Sequence, residues 1–140
     1  NACGIKSEIS NKISEDIWKK AIFNSAVNVI CALIKGTPGE IKKSSALLEL
    51  SEYIVDEGCK VAQKYHIYIK KSEIMEIISM STIEHANHKP SMLVDILNGK
   101  ITEIDSINGK IISLGKNVNV HCPNNKVVYS LIKALENKFG

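Results

Sequence analysis

Asp16-Ile17-Trp18-Lys19-Lys20-Ala21-Ile22-Phe23-Asn24-Ser25-Ala26-Val27-Asn28 is the stretch whose reading decides the fold. On a helix, Lys20, Asn24 and Asn28 stand at i, i+4 and i+8 and form a polar line of roughly 12 Å. Ile17, Ala21, Phe23, Ala26, Val27 and Ile30 crowd around that line, so no broad polar face exists into which two asparagines could vanish. Asparagine is a mediocre helix former and is costly to bury without partners. Such a line either caps and cross-links neighbouring helices or meets a ligand.

Outward from this stretch the helical pattern repeats. Ser14 to about Lys35 is predicted as the first helix, with Ser14 as its cap and Glu15 and Asp16 at its positive end. Gly36-Thr37-Pro38-Gly39 ends it. From about Lys43 to Tyr65, Leu47, Leu48, Leu50, Ile54, Val55 and Val61 recur at helical spacing, and Gly58 inside the run marks close packing with another helix. His66 to Ile69 alternates too briefly for a strand. Ser72 opens a third helix to about Ser81, with Ile74, Ile77 and Ile78 inward. The polar loop His85-Ala86-Asn87-His88-Lys89-Pro90 follows. Ser91 to Leu97 is a short helix with Ser91 as cap, stopped by Asn98-Gly99-Lys100. Thr102, with Asp105 as a shortened capping box, opens one continuous helix through Ile104, Ile107, Ile111, Ile112 and Leu114 to Gly115, in which Gly109 admits a neighbour. Pro123 starts the last helix, Asn124 to about Lys138. Six helices and no convincing strand predict an all-α fold, a compact antiparallel multi-helix bundle.

The chain's 140 residues, 44% hydrophobic and 24% charged, make one domain. Its net charge of +3 comes from 18 basic and 15 acidic residues dispersed along the chain. No charge block suggests nucleic acid, while a mild positive bias suits a small anion. The longest apolar run, Ala26 to Ile34 interrupted by Asn28, is too short to span a bilayer. Lys6, Glu8, Lys12 and Glu15 break up any signal-peptide pattern. Cys3, Cys31, Cys59 and Cys122, far apart and without a CxxC pair, read as reduced cytosolic thiols, and the protein is expected in the cytoplasm. Asn1-Ala2, in place of an initiator methionine, is compatible with the remnant of a cleaved tag. No glycine cluster forms a phosphate-cradling loop after a strand, so the usual βαβ nucleotide device is not expected here.

Lys20 above two amides suits protonation or polarisation of a carbonyl oxygen while the amides hold hydroxyls. Lys19 points about 100° away on the helix and is expected in solvent. Ser91, read first as a cap, also begins a helix whose N–H groups and dipole favour a carboxylate. Glu103 is either a surface acid at a helix start or a partner that orients Lys20 and accepts a substrate hydroxyl. His85 and His88 with Glu84 lack a third ligand at convincing spacing, so no metal site is expected. His121-Cys122 has no acid or serine nearby and is not read as a catalytic dyad.

Three segments in this order resemble the C-terminal domain of the ketopantoate reductase (2-dehydropantoate 2-reductase) family. They are Trp18-Lys19-Lys20 with Asn24 and Asn28; Pro90-Ser91-Met92-Leu93 with Asp95; and Thr102-Glu103-Ile104-Asp105 with Ile107-Asn108-Gly109, followed by Pro123. The resemblance spans nearly the whole chain, residues 1–140. It implies a helical fold akin to the C-terminal region of 6-phosphogluconate dehydrogenase, preceded in the family by a Rossmann domain that this chain lacks. It further implies NADPH-dependent reduction of ketopantoate, a small 2-oxo acid, to pantoate in pantothenate biosynthesis, with NADPH bound mainly by the missing domain, and a possible homodimer. By the same resemblance Lys20 is the general acid, Glu103 supports that lysine and the substrate, Ser91 binds the carboxylate, and Asn24 and Asn28 contact substrate. The isolated domain is then expected to be inactive. Two positions depart from the family pattern: Gly36-Thr37-Pro38-Gly39 carries no substrate-facing asparagine, and His88 stands where an asparagine precedes the serine by three. A reductase of another 2-oxo acid, or a non-catalytic helical dimerisation or interaction module, are the alternative readings.

Overall fold

The computed structural model describes the backbone of residues 2–139 and the side chains of residues 12–139; Asn1, and with it half of the proposed tag remnant, lies outside them. The described residues form α1 (Ala2–Ile34), α2 (Pro38–Lys42), α3 (Ser45–Lys64), α4 (Lys71–Glu84), α5 (Ser91–Leu97), a 3₁₀ turn (Ile104–Ser106), α6 (Asn108–Asn117) and α7 (Pro123–Glu136), with no strand among them. The all-α bundle is therefore as predicted, with changes in detail.

α1 is the axis of the domain and packs against α2, α3, α4, α5 and α7. Its inward positions Ile22, Ala26, Val27, Val29 and Ile30 join Ile54, Val55, Ile74, Ile78, Met92, Ile104 and Ile132 in one core. Gly58 of α3 faces Ile22, and a Cβ there would lie 2.9 Å from Ile22 Cγ1, so the glycine allows α1 and α3 to close together. Trp18 is half-buried and stacks on Tyr65 with ring centroids 6.0 Å apart. The Tyr65 hydroxyl donates to the Leu114 carbonyl at 2.9 Å, tying α1 through α3 to α6.

α1 begins well before Ser14. Nothing between Ala2 and Ser14 breaks a helix, so a serine with cap chemistry is carried through as an interior residue. By length and composition Lys12–Ile34 is apolar enough to cross a membrane, and the sequence reading of a shorter run was too strict; 44% of its most apolar window is buried inside the domain, as a central core helix requires. The turn at 36–39 contains a further helix, α2, because Pro38 occupies its first position and the Thr37 N–H donates to the Glu40 carboxylate at 2.8 Å. α4 runs on to Glu84.

The continuous helix expected from Thr102 to Gly115 is broken at Ile107, whose φ and ψ of −104° and −89° separate the 3₁₀ turn from α6. Tertiary partners override the local pattern here. The Thr102 N–H and hydroxyl both donate to the Glu136 carboxylate at 2.7 Å. The Thr102 hydroxyl oxygen accepts from the Ile104 N–H at 3.2 Å. Asp105, expected in a capping box, instead accepts from the Tyr129 hydroxyl at 2.6 Å.

A candidate substrate cleft beside the first helix

The polar line of α1 forms one wall of an open cleft of about 860 Å³. Lys20, Phe23, Asn24, Val27 and Asn28 enter it from α1, Ile77, Met80, Ser81 and Glu84 from α4, and His85, His88, Pro90 and Ser91 from the loop into α5. Four of the five residues singled out from the sequence, Lys20, Asn24, Asn28 and Ser91, are thus brought together across some 70 residues of chain. Glu103 is exposed at the entry to the 3₁₀ turn and is not among the residues lining this cleft.

Lys20 and Ser91 are exposed, and Asn24 and Asn28 are half-buried. Lys20 therefore keeps its water in this domain. Among the described residues none of these four side chains has a hydrogen-bond or ion-pair partner. Ser91 is the first helical residue of α5 rather than its cap; Pro90 holds the cap position and no side chain caps it. Lys19, expected in solvent, is occupied: it pairs with Glu73 of α4 and with Glu15 at 3.1 Å. The hydrogen bonds it donates to Glu73 and then to Glu15 hold its ammonium above the ordinary lysine range. The two adjacent lysines are thereby sorted, one bound into the fold and the other free in the cleft.

The loop that closes the cleft is fixed in place. The His88 N–H donates to the His85 carbonyl at 3.0 Å, making a turn, and the Gly39 N–H of α2 donates to the Ala86 carbonyl at 2.9 Å. A Cβ on Gly39 would lie 3.0 Å from Ala86, so only glycine lets α2 come this close. The unexpected helix α2 is thus a buttress for the cleft. The apolar stretch of its lining, Phe23, Val27, Ile77 and Met80, was not singled out from the sequence, since isoleucines on α4 read there as core. Ile77 and Met80 are 42% and 49% exposed, which marks them as surface for something else to cover.

Other reactive groups are committed to structure. Burial pushes the thiols of Cys31, Cys59 and Cys122 up to about 12, 11 and 11, leaving them protonated and unreactive at neutral pH. No disulfide joins these three, and the side chain of Cys3 lies outside the described residues. Among the described residues no three His, Cys, Asp or Glu side chains converge to hold a metal.

The profile of the ketopantoate reductase PanE/ApbA C-terminal region matches residues 12–136. The 2-dehydropantoate 2-reductase of Pyrococcus horikoshii is 39% identical over 140 residues, which is the whole chain and 46% of that protein. That of Archaeoglobus fulgidus is 32% identical over 95% of the chain and 44% of its own length. The chain thus spans less than half the length of these relatives. Among solved structures, a D-mandelate dehydrogenase in ternary complex with NADH and anilino(oxo)acetate superposes with a TM-score of 0.87 at 31% identity, covering 91% of this chain and 42% of that one. The 2-dehydropantoate 2-reductase of Methylococcus capsulatus superposes with a TM-score of 0.78 at 28% identity, covering 91% and 44%. A helical bundle that presents an unpartnered lysine and two amides in a cleft, matched over nearly its whole length, belongs to the ketopantoate reductase family as its C-terminal domain.

Proposed function

We propose that this domain is the substrate-binding and proton-donating half of an NADPH-dependent 2-dehydropantoate 2-reductase acting on ketopantoate. The observation that carries the reading is the unpartnered set Lys20, Asn24 and Asn28 lining one cleft with Ser91, in a chain 39% identical to a 2-dehydropantoate 2-reductase. Side chains that the fold does not use and that converge on one space are what a ligand uses.

Lys20 donates a proton to the carbonyl oxygen at carbon 2 as negative charge develops there, and its positive charge stabilises that alkoxide before the transfer. Asn24 and Asn28, each both donor and acceptor, orient the substrate's carbonyl and hydroxyl oxygens against Lys20. Ser91 contributes a hydroxyl to the carboxylate. Glu103 is kept as the carboxylate that orients Lys20 or accepts a substrate hydroxyl in the complete enzyme. Among the described residues no strand leads into a glycine-rich turn, so the dinucleotide would be held mainly by another domain of the full-length enzyme. When bound, it supplies the hydride; proton delivery, orientation and shielding are the work of this domain. The likeness to a D-mandelate dehydrogenase favours a second reading, a reductase of another 2-oxo acid built on the same cleft. A homodimer in the cytoplasm belongs to the same proposal.

In the full-length enzyme, Lys20→Ala lowers kcat for ketopantoate reduction by about 10² or more. An unchanged kcat removes Lys20 from the mechanism, and Glu103→Gln with unchanged kcat/KM does the same for Glu103. The isolated domain gives no NADPH oxidation with ketopantoate; turnover by these 140 residues alone would refute the division of labour.

A further inference from the structure

A 2-oxo acid arrives as an anion, and the reading above assigns Lys20 to the carbonyl oxygen. The carboxylate therefore needs a counter-charge from elsewhere in the cleft. Asn24, Asn28, Ser81 and Ser91 are neutral, and Glu84 has the wrong sign. Two cation-capable side chains remain among the lining residues, His85 and His88. They sit on one turn, closed by the 3.0 Å hydrogen bond from the His88 N–H to the His85 carbonyl, with ring centroids 6.3 Å apart and edge to face. Ser91, assigned above to the carboxylate, follows His88 by one turn's length of chain. The α2 contact to Ala86 between the two histidines holds the turn in place. Both imidazoles are exposed, and among the described residues neither has a side-chain hydrogen-bond partner.

We propose that His85 and His88 form the carboxylate-recognising pair of this cleft, a counter-charge for an anionic 2-oxo acid. The proposal rests on the reductase reading and adds to it the group that senses the charge of the substrate. Histidine is the side chain that ordinarily changes charge between pH 5 and 8. The charged groups around the pair are Glu84 at the end of α4, Lys20 on α1 and Lys89 in the same loop, while Glu40, Lys42 and Lys43 at α2 face the same loop at Ala86 and Asn87. Hydrogen bonds from imidazolium to carboxylate are stronger than neutral ones, so the pair tightens substrate binding when charged.

The test is the pH dependence of KM for ketopantoate in the full-length enzyme, for the wild type, the double variant His85→Gln/His88→Gln, and the double variant His85→Gln/His88→Lys. In the wild type KM rises by about fivefold or more as pH passes upward through the histidine range. His85→Gln/His88→Gln has a raised KM that no longer follows pH across that range. His85→Gln/His88→Lys, whose lysine keeps its charge throughout, restores a low KM without the rise. A rise that persists unchanged in His85→Gln/His88→Gln, or a wild-type KM that is flat with pH, overturns the proposal while leaving the reductase reading intact. Absence of turnover with any 2-oxo acid overturns the reading beneath it, and the proposal with it.

Discussion

Two sets of polar side chains meet α1 at neighbouring residues and have opposite fates. At Ser25, whose side chain is buried, the backbone carbonyl accepts from the Asn108 amide at 3.0 Å. The same amide reaches Asn125 Oδ1 at 3.0 Å, and Asn125 in turn donates to Glu57 at 2.9 Å from both its backbone and its side chain. Asn124 donates twice to the other Glu57 oxygen, at 2.9 and 2.7 Å. One residue earlier, Asn24 faces the cleft with no partner at all. Both sets are rich in asparagine, and composition does not separate them. What separates them is whether the protein supplies partners: in the buried set only the Asn108 Oδ1 is left without one. Glu57 closes one network by sitting at the N-terminus of α7, where two backbone N–H groups would otherwise be orphaned. The Lys20 line is left open.

The comparison breaks first at its two strongest members. Lys20→Ala, with its hundredfold loss in kcat, should leave unfolding free energy within about 0.5 kcal/mol of wild type, because no contact in the fold depends on it. Glu57→Ala should do the reverse. Four donors lose their acceptor, two of them backbone, and urea denaturation should show a loss of about 2–3 kcal/mol. If Glu57→Ala were as stable as wild type, the closed network would not be a stabilising one. Asn24→Ala and Asn28→Ala should raise KM several-fold and leave the denaturation midpoint in place; a lowered midpoint would make them structural cross-links after all.

Glu136 sharpens the same contrast through pH. Desolvation raises its pKa, but the hydroxyl and N–H of Thr102, with Lys133 3.2 Å away, outweigh it and leave the carboxyl below the ordinary glutamate range. A depressed folded-state value means that the stabilisation is complete above the unfolded pKa, near 4.3, and fades as pH falls through the folded value. Glu136→Gln should therefore flatten the acid limb of the stability profile, while stability near pH 7 drops. The smallest effect is expected at His66, which ends α3 at a φ of 64°. Its side chain is exposed, and His66→Gly should raise stability by about 0.5–1 kcal/mol, read as a higher melting temperature.

The open set was legible in the sequence and the closed one was not, for a physical reason. Lys20, Asn24 and Asn28 declare themselves by helical spacing within nine residues, a local property. Glu57 reaches Asn124 across 67 residues, and nothing at either end announces the pairing. Asn108 was read as part of a continuous helix because the isoleucines around it keep one phase. The break at Ile107 precedes Asn108, whose side chain is turned inward to Ser25, a contact 83 residues away. α2 was missed although Thr37 and Glu40 carry the spacing of a capping box and Pro38 the first position. The signal was there, overshadowed by two glycines that read as a turn. His85 was weighed only as a metal ligand, and His88 beyond that only as a departure from the family pattern, since their proximity to the α1 line depends on how α4 packs.

The Trp18 and Tyr65 stack gives the molecule its own optical reporter. Trp18 is the single tryptophan, two residues from Lys20 and half-buried against Tyr65. Its emission comes from one site, where α1 meets Tyr65 at the end of α3. Shifts in its wavelength on unfolding can thus be followed in the unlabelled protein.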